Sequence, residues 1–389
     1  MALDFQQVRE QVRQLGEHAL ERQHDLKSRQ AQACELLEQN ANEVEKLRQK
    51  VQSVVRNHDP SLRCALPVKE GLNAHFPLPP LPEQATVIAA DGSQIFADRH
   101  AEAEYSLVNT GAIWMRYGSA DAPSMSIQSR LLYDELMENM SEERLALERD
   151  LSERTRLAEL AAEATAPVIT FTDGPMELWI ERGESAGEFQ KSLEAYLQVL
   201  EKLHELKVTT AGYVDKPGAD LVVRLLEVAK AEESDLAEMR KYRPFRGVTD
   251  IELYRDLLQP GERSAVFAVQ SRSTRSYQGA LALHFFYLNV GRPEHEWLAR
   301  VEVPAWVMED SAMLDNLHSV LVNQCQMIGT RPYPYLLHRA HETAVVNQEE
   351  KEQVTQMIVF ELRNRGLEVA GASHKQSAKD LAGRTRYGG

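Results

Sequence analysis

Apolar positions in the first 57 residues recur at steps of three and four. Leu37, Ala41, Val44, Leu47, Val51 and Val54 form one stripe, and Phe5, Val8, Val12 and Leu15 repeat the spacing more sparsely. That period belongs to an amphipathic helix, and Asn57-His58-Asp59-Pro60 stops it. The stripe fits an arm packed on its own domain or a coiled-coil arm pairing with another chain, and spacing alone does not choose. A semi-rigid spacer follows, Phe76-Pro77-Leu78-Pro79-Pro80-Leu81-Pro82. The pattern divides the chain into a helical arm (1–60), a proline-rich connector (61–84), a core (85–370) and a flexible basic tail (371–389) rich in Gly, Ser and Lys/Arg.

From residue 85 short apolar runs alternate with charged helical stretches. Strands are expected at 86–90, 103–113, 127–132, 167–172, 207–214, 264–270, 282–289 and 301–307. Helices are expected at 131–165, 184–206, 219–231 and 312–325, with a last one over 338–346 after the rigid loop Arg331-Pro332-Tyr333-Pro334-Tyr335. This alternation predicts an α/β core, and no internal repeat is visible.

Composition narrows the function. The chain has 389 residues, 43% of them hydrophobic, enough for one large core or a core with a smaller attached element. Its net charge of −15 argues against a protein that coats duplex DNA, because phosphate neutralisation supplies most of that affinity. It leaves open an enzyme with a local basic groove, or one delivered to DNA by a partner, and it suits a site that collects cations. Cys34, Cys64 and Cys325 are far apart, with no CxxC, which argues against a disulfide framework or zinc ribbon and for a reducing cytoplasm. The amino terminus has no signal-peptide pattern and no 18-residue apolar run occurs, so a soluble chain without membrane contact is expected.

Two expected strands run into the same word, Asp91-Gly92 and Asp173-Gly174. Catalytic groups collect at the carboxyl ends of strands in open α/β sheets, and glycine permits the turn and removes bulk beside the carboxylate. Two such aspartates on neighbouring strands would converge on a divalent cation; read blandly, they are two ordinary Asp-Gly turns. The helical stretch between them carries Glu142, Glu143, Glu148, Asp150, Glu153, Glu159 and Glu163 among Arg144, Arg149, Arg154 and Arg156. Most of these acids belong to a solvated, ion-paired face, with one turned inward. Glu148 and Glu153 each follow an arginine by four residues, so spacing does not separate them. His338 and His341 lie one helical turn apart. His341-Glu342 opens like a zincin motif, but Val345 stands where its second histidine is needed. Neither a P-loop nor a GxSxG elbow is present. Arg240-Lys241-Tyr242-Arg243-Pro244-Phe245-Arg246 interleaves cations with aromatics, as backbone contact plus base stacking requires. Arg272 and Arg275 add cations within a hydroxyl-rich loop.

Taken in order, these words resemble the NurA nuclease family. The matching features are Ala90-Asp91-Gly92-Ser93, the acidic helix before Asp173-Gly174, the segment Gly212-Tyr213-Val214-Asp215-Lys216-Pro217, and Tyr333 with His341 eight residues on. The likeness covers about residues 85–350, and departs from the family where Gly174 is followed by proline rather than serine. It implies an RNase H-like fold, a mixed central sheet flanked by helices. It also implies a metal-dependent DNA nuclease of mixed endonuclease and 5′–3′ exonuclease type, with Asp91, Asp173 and one helical glutamate as metal-binding carboxylates. That glutamate is assigned to Glu153, with Glu148 as the alternative. His341 would serve as ligand or proton shuttle and Tyr333 would orient the scissile phosphate. Two cations about 3.5–4 Å apart can activate water and stabilise the leaving oxygen, and carboxylates with an imidazole suit Mn²⁺ or Mg²⁺. DNA contacts are expected from Arg240, Lys241, Tyr242, Arg243, Arg246, Arg272, Arg275 and Lys216. The resemblance further implies a homodimer working with a HerA-type hexameric ATPase, in DNA end resection during repair or in attack on foreign DNA. Two other classes compete. In an adaptor the arm would bind a partner and the Asp-Gly words would be turns. An ASKHA-type ATP-binding protein would need glycine-rich phosphate loops, which are not found. Substituting Asp91 separates a nuclease from an adaptor.

Overall fold

A computed structural model describes residues 3–97, 104–133, 140–179, 186–329 and 331–367; the tail expected at 371–389 lies outside them. The chain opens with helices α1 (Phe5–Gln39) and α2 (Val44–Asn57) and strands β1 (Cys64–Pro67) and β2 (His75–Phe76). Three long strands follow, β3 (Ala85–Ile95), β4 (Ser106–Tyr117) and β5 (Ser124–Leu132). Next come α3 (Glu142–Glu163), β6 (Val168–Asp173), α4 (Ala186–Glu205), β7 (Thr209–Asp215), α5 (Leu221–Lys230), α6 (Glu233–Leu236) and α7 (Asp250–Tyr254). The remainder is β8 (Arg263–Ser264), β9 (Phe267–Gln270), β10 (Leu283–Asn289), β11 (Leu298–Pro304), α8 (Ala305–Glu309), α9 (Ser311–Gln326), α10 (Tyr335–Ala344) and α11 (Gln348–Asn364). The mixed α/β class expected from the alternation is what forms.

The described residues make two compact units whose segments interleave: those within 3–81, 174–177 and 211–333 form the first, and those within 82–173, 178–210 and 334–367 the second. In the first, β1, β9, β10, β11 and the 212–215 part of β7 are joined in that order by antiparallel pairing. Phe267, Phe285, Tyr287 and Tyr254 stack in its core. Burial of large aromatic faces of this kind is the main stabilising term in such a core. Asp250, fully buried, accepts from the backbone N–H groups of Val222 and Val223 at 3.0 and 2.8 Å and so caps the start of α5. In the second unit the order is β6-β3-β4-β5. β3 runs parallel to β6 and antiparallel to β4, and β4 is antiparallel to β5. Three antiparallel strands, a helix, then a strand parallel to the first is the RNase H-like arrangement. Helix α3 packs on β3 and β4, and so does α10.

Local chemistry explains where the elements differ from the pattern. The apolar stripe does not run through one helix: Asn40 ends α1, its side-chain amide donating to the Leu36 carbonyl at 2.9 Å. Leu37, Leu47, Val51 and Val54 are buried, whereas Phe5, Val8, Val12 and Leu15 are exposed. The strand expected over 301–307 lies earlier, because Pro304 starts the short helix α8. The strand expected over 264–270 is split into β8 and β9. Helix α11 was not anticipated, although Asn347 and Glu350 spell a capping box: each side chain accepts the other's backbone N–H at 2.9 Å.

Candidate active site

The site is built around the middle of β3. Its parallel register with β6 runs from Thr86–Val168 to Ala90–Thr172. Beyond that pair β3 continues with β4 alone, Asp91 opposite Gly111 and Gly92 opposite Thr110. Asp91-Gly92 therefore does not end a strand, as the pattern suggested; it lies within one, where its parallel neighbour stops. Asp173 is the last residue of β6 and is exposed. It stands one step past the final registered pair, as Asp91 does, so the two aspartates occupy equivalent places on adjacent strands.

Two glycines bring a helix close on either face. A Cβ at Gly92 would lie 2.5 Å from Cγ of Arg149 and 2.8 Å from Oε1 of Glu153, both on α3. A Cβ at Gly111 would lie 2.7 Å from the Ala344 nitrogen and 2.8 Å from the Ala340 carbonyl oxygen of α10. Neighbouring residues of a strand point to opposite faces, and paired residues to the same one. Gly111 shares the face of Asp91, and Gly92 has the other. Hence α3 and α10 lie on opposite faces of β3, and both reach the Asp91-Gly92 step.

From the α10 side, His341 Nδ1 meets Asp91 Oδ2 at 2.7 Å. From the α3 side come Arg149, Asp150 and Glu153. Arg149 donates to Asp150 Oδ1 from Nη2 at 2.9 Å and Nε at 3.2 Å, and its Nε lies 3.6 Å from Glu153 Oε1. Glu153 is only 6% exposed. Burial first, then the negative charges of Asp150 and Asp91, hold its carboxyl well above the usual carboxylate range against the pull of Arg149 and Arg154. Burial also raises Asp150, and the adjacent Arg149 only partly offsets it. Three acids, Asp91, Asp150 and Glu153, thus stand against two arginines, Arg149 and Arg154. Their oxygens are the hard donors a divalent cation prefers, but among the described residues no three His, Cys, Asp or Glu side chains surround one point closely enough to hold an ion as they sit. Arg149 lies among them instead.

The other expected site residues are dispersed. Glu148 turns away to an ion pair with Arg130, in a groove lined by Thr110, Gln128 and Ser152. Tyr333 belongs to the first unit, its ring edge-on to Tyr213 at 5.8 Å. In that unit the basic segment is largely engaged with carboxylates: Arg240 with Asp59, Lys241 with Glu238, and Arg243 with Asp220 and Glu227. Phe245, read as a stacking surface, is 1% exposed and cannot present a face; Tyr242 is half-buried. Arg246 and Arg272 are exposed, and so is Arg275, which donates to the Pro60 carbonyl at 2.9 Å. Lys216 has φ 44° and sets its ammonium 3.8 Å above the Trp297 ring, whose N–H donates to Asp215 at 2.6 Å.

Sequence reasoning passed over Arg149 and Asp150 by treating them as part of a solvated face. The available signal was their spacing: Asp150 precedes Glu153 by three and Arg149 by four, so all three share one helix face toward Gly92.

Solved structures of low identity align with the chain. The NurA nuclease from Sulfolobus solfataricus is 12% identical, with a TM-score of 0.48, over 84% of this chain and 94% of that one. Human ENDOV is 13% identical, with a TM-score of 0.32, over 70% and 85%. LC9-RNase H1, a type 1 RNase H with the type 2 active-site motif, is 14% identical, with a TM-score of 0.24, over 38% and 68%. No curated protein matches the chain. Residues 85–346, more than half of the chain, match the NurA domain, and that span contains every residue that meets at the Asp91-Gly92 step. The chain belongs to the NurA domain family of nucleases.

Proposed function

We propose that this protein is a divalent-metal-dependent deoxyribonuclease whose site is Asp91, Asp150, Glu153 and Asp173 with His341. One observation carries the reading: Glu153, almost wholly buried, is held beside two further carboxylates with too little positive charge to balance them. An arrangement that costs stability in the empty fold is what a cation-binding site requires. Asp91, Asp150 and Glu153 are the residues that would hold the metal, with Asp173 beside Asp91. When bound, Mn²⁺ or Mg²⁺ would make a water nucleophilic near neutral pH and offset charge on the phosphate.

The chain's own groups supply the rest. With Nδ1 donating to Asp91, His341 keeps Nε2 as its acceptor, and at 63% side-chain exposure that atom is accessible to take a proton from water or return one to the leaving oxygen. Asp91 fixes that tautomer. Tyr333 keeps its proposed phosphate-orienting role on the family pattern alone. Lys216, Arg246, Arg272 and Arg275 are exposed cations that would meet a DNA backbone, and Arg240 would have to exchange Asp59 for phosphate. With a net charge of −15, the chain gains little DNA affinity from overall electrostatics. Delivery by a HerA-type ATPase to a nuclease dimer, in end resection or in defence against foreign DNA, is consistent with that.

The test is cleavage of labelled linear single- and double-stranded DNA with Mn²⁺, Mg²⁺ or EDTA, with and without a HerA-type partner, comparing wild type and Asp91→Asn. Metal-dependent cleavage lost in the folded variant supports the reading. A folded wild type that cleaves nothing under any condition, partner included, overturns it.

A further inference from the structure

We propose that Arg149 is the resident counter-ion of the carboxylate site, a built-in cation that competes with the divalent metal and must leave the carboxylates when it binds. The inference rests on the metal-site reading above and adds a residue to it.

Three observations converge. First, the guanidinium lies among the carboxylates: Nη2 and Nε donate to Asp150 at 2.9 and 3.2 Å, and Nε is 3.6 Å from Glu153. Second, β3 is shaped for this side chain. Its Cγ and Cδ lie 2.5 and 3.1 Å from where a Cβ of Gly92 would be, so only glycine lets the stem cross the strand there. Third, Glu153 is deeply buried and turned to the same spot, its Oε1 2.8 Å from where a Cβ of Gly92 would be.

A surface arginine on an acidic helix would sit in solvent and contribute little. Here the side chain is 34% exposed, its stem covered and its head engaged with two carboxylates. Guanidinium is a planar, permanently charged fork. It can hold Asp150 and Glu153 in place before a metal arrives, but it cannot activate water. A divalent ion drawing on the same oxygens would displace it, and the freed guanidinium could then pair with a phosphate. Arg149 is thus a positioning residue that sets how much metal the site requires.

The test is titration calorimetry with Mn²⁺ on full-length wild type, Arg149→Met and Arg149→Lys. Methionine keeps an apolar stem over Gly92 and removes the charge; lysine keeps the charge. Removing a unit positive charge a few ångströms from a divalent ion should tighten binding on the order of ten-fold or more. The expected result is tighter Mn²⁺ binding by Arg149→Met, a larger Mn²⁺-induced rise in Tm, and affinity near wild type for Arg149→Lys. Equal or weaker binding by Arg149→Met overturns the inference, as does Arg149→Lys binding as tightly as Arg149→Met. Wild type, Met and Lys variants that all fail to bind Mn²⁺ sink the metal-site reading itself, a separate outcome. If Arg149→Met does not stay folded without metal, the ¹⁵Nε signal of Arg149 in wild type, assigned by its loss in Arg149→Lys, gives the answer. It should shift on Mg²⁺ titration, and a signal unmoved at saturation contradicts displacement.

Discussion

Replacing Gly92 with alanine adds one methyl group at the point where helix α3 crosses β3. The new Cβ would stand 2.5 Å from Cγ of Arg149, 2.8 Å from Oε1 of Glu153 and 3.1 Å from Cδ of Arg149. Gly92 is not among the residues with positive φ, so its backbone accepts alanine and the effect is steric. Forcing extra volume into a packed interior costs about 1–3 kcal/mol. The smaller conformational freedom of an unfolded chain with alanine returns about 0.4–1 kcal/mol. The net expectation is a loss of about 1–2 kcal/mol, with Arg149 and Glu153 pushed off the strand and Mn²⁺ affinity altered. Urea unfolding in EDTA reads the first quantity and calorimetry the second. Gly218→Ala is the control, because nothing lies within 4 Å of its added Cβ; it should change stability by less than about 0.5 kcal/mol. If Gly92→Ala matches Gly218→Ala in both readouts, α3 does not lie against Gly92 as described and the site built on that contact fails.

Further predictions concern the helices and the charges. Gly111→Ala meets backbone atoms of α10 at 2.7 and 2.8 Å, which cannot rotate aside. It should displace His341 and reduce cleavage more than it changes Mn²⁺ affinity, and equal losses in both would contradict this. Glu153→Gln should abolish cleavage yet raise the metal-free Tm. Because burial raises the folded pKa of Glu153, its protonated form is favoured at low pH and stability is lost as pH rises through that pKa. The Gln variant should therefore outlast wild type at pH 8 but not at pH 4, and a gain of the same size at both would refute the assignment. His318 is fully buried, with Nε2 2.7 Å from the Gly261 carbonyl oxygen, and burial pulls its pKa from 6.5 down to about 4. The unfolded chain takes up that proton first, so stability present above pH 6.5 is lost as pH falls toward 4, by up to about 3 kcal/mol. Urea midpoints at pH 7 and 4.5 should diverge more for wild type than for His318→Gln.

What the sequence discloses depends on whether a feature is local. The alternation of apolar runs and charged helices predicted the α/β class, and most elements lie where the periodicity puts them, because helices and strands report their buried faces residue by residue. Asp91 and Asp173 stand out by their place after apolar runs, Glu153 and His341 only through the family resemblance, and the structure joins Asp91 to His341 and sets Glu153 within electrostatic reach of Asp91. Tertiary arrangements were not legible. That Asp91-Gly92 lies inside a strand follows from β4 continuing after β6 stops, and nothing near residue 91 encodes it. Glu148 and Glu153 look alike in sequence, each with an arginine four residues before, yet one faces Arg130 and the other is buried. The basic run at 240–246 looked free because its partners, Asp59 and Asp220, are distant in sequence.

The most direct test of the account is anomalous diffraction from crystals soaked in Mn²⁺, for wild type and Asp91→Asn. The account predicts a manganese peak within ligand distance of carboxylate oxygens of Asp91 and of Asp150 or Glu153 in wild type, lost or weakened in the variant. No peak there at saturating Mn²⁺, or one bound elsewhere and unchanged by Asp91→Asn, would contradict it.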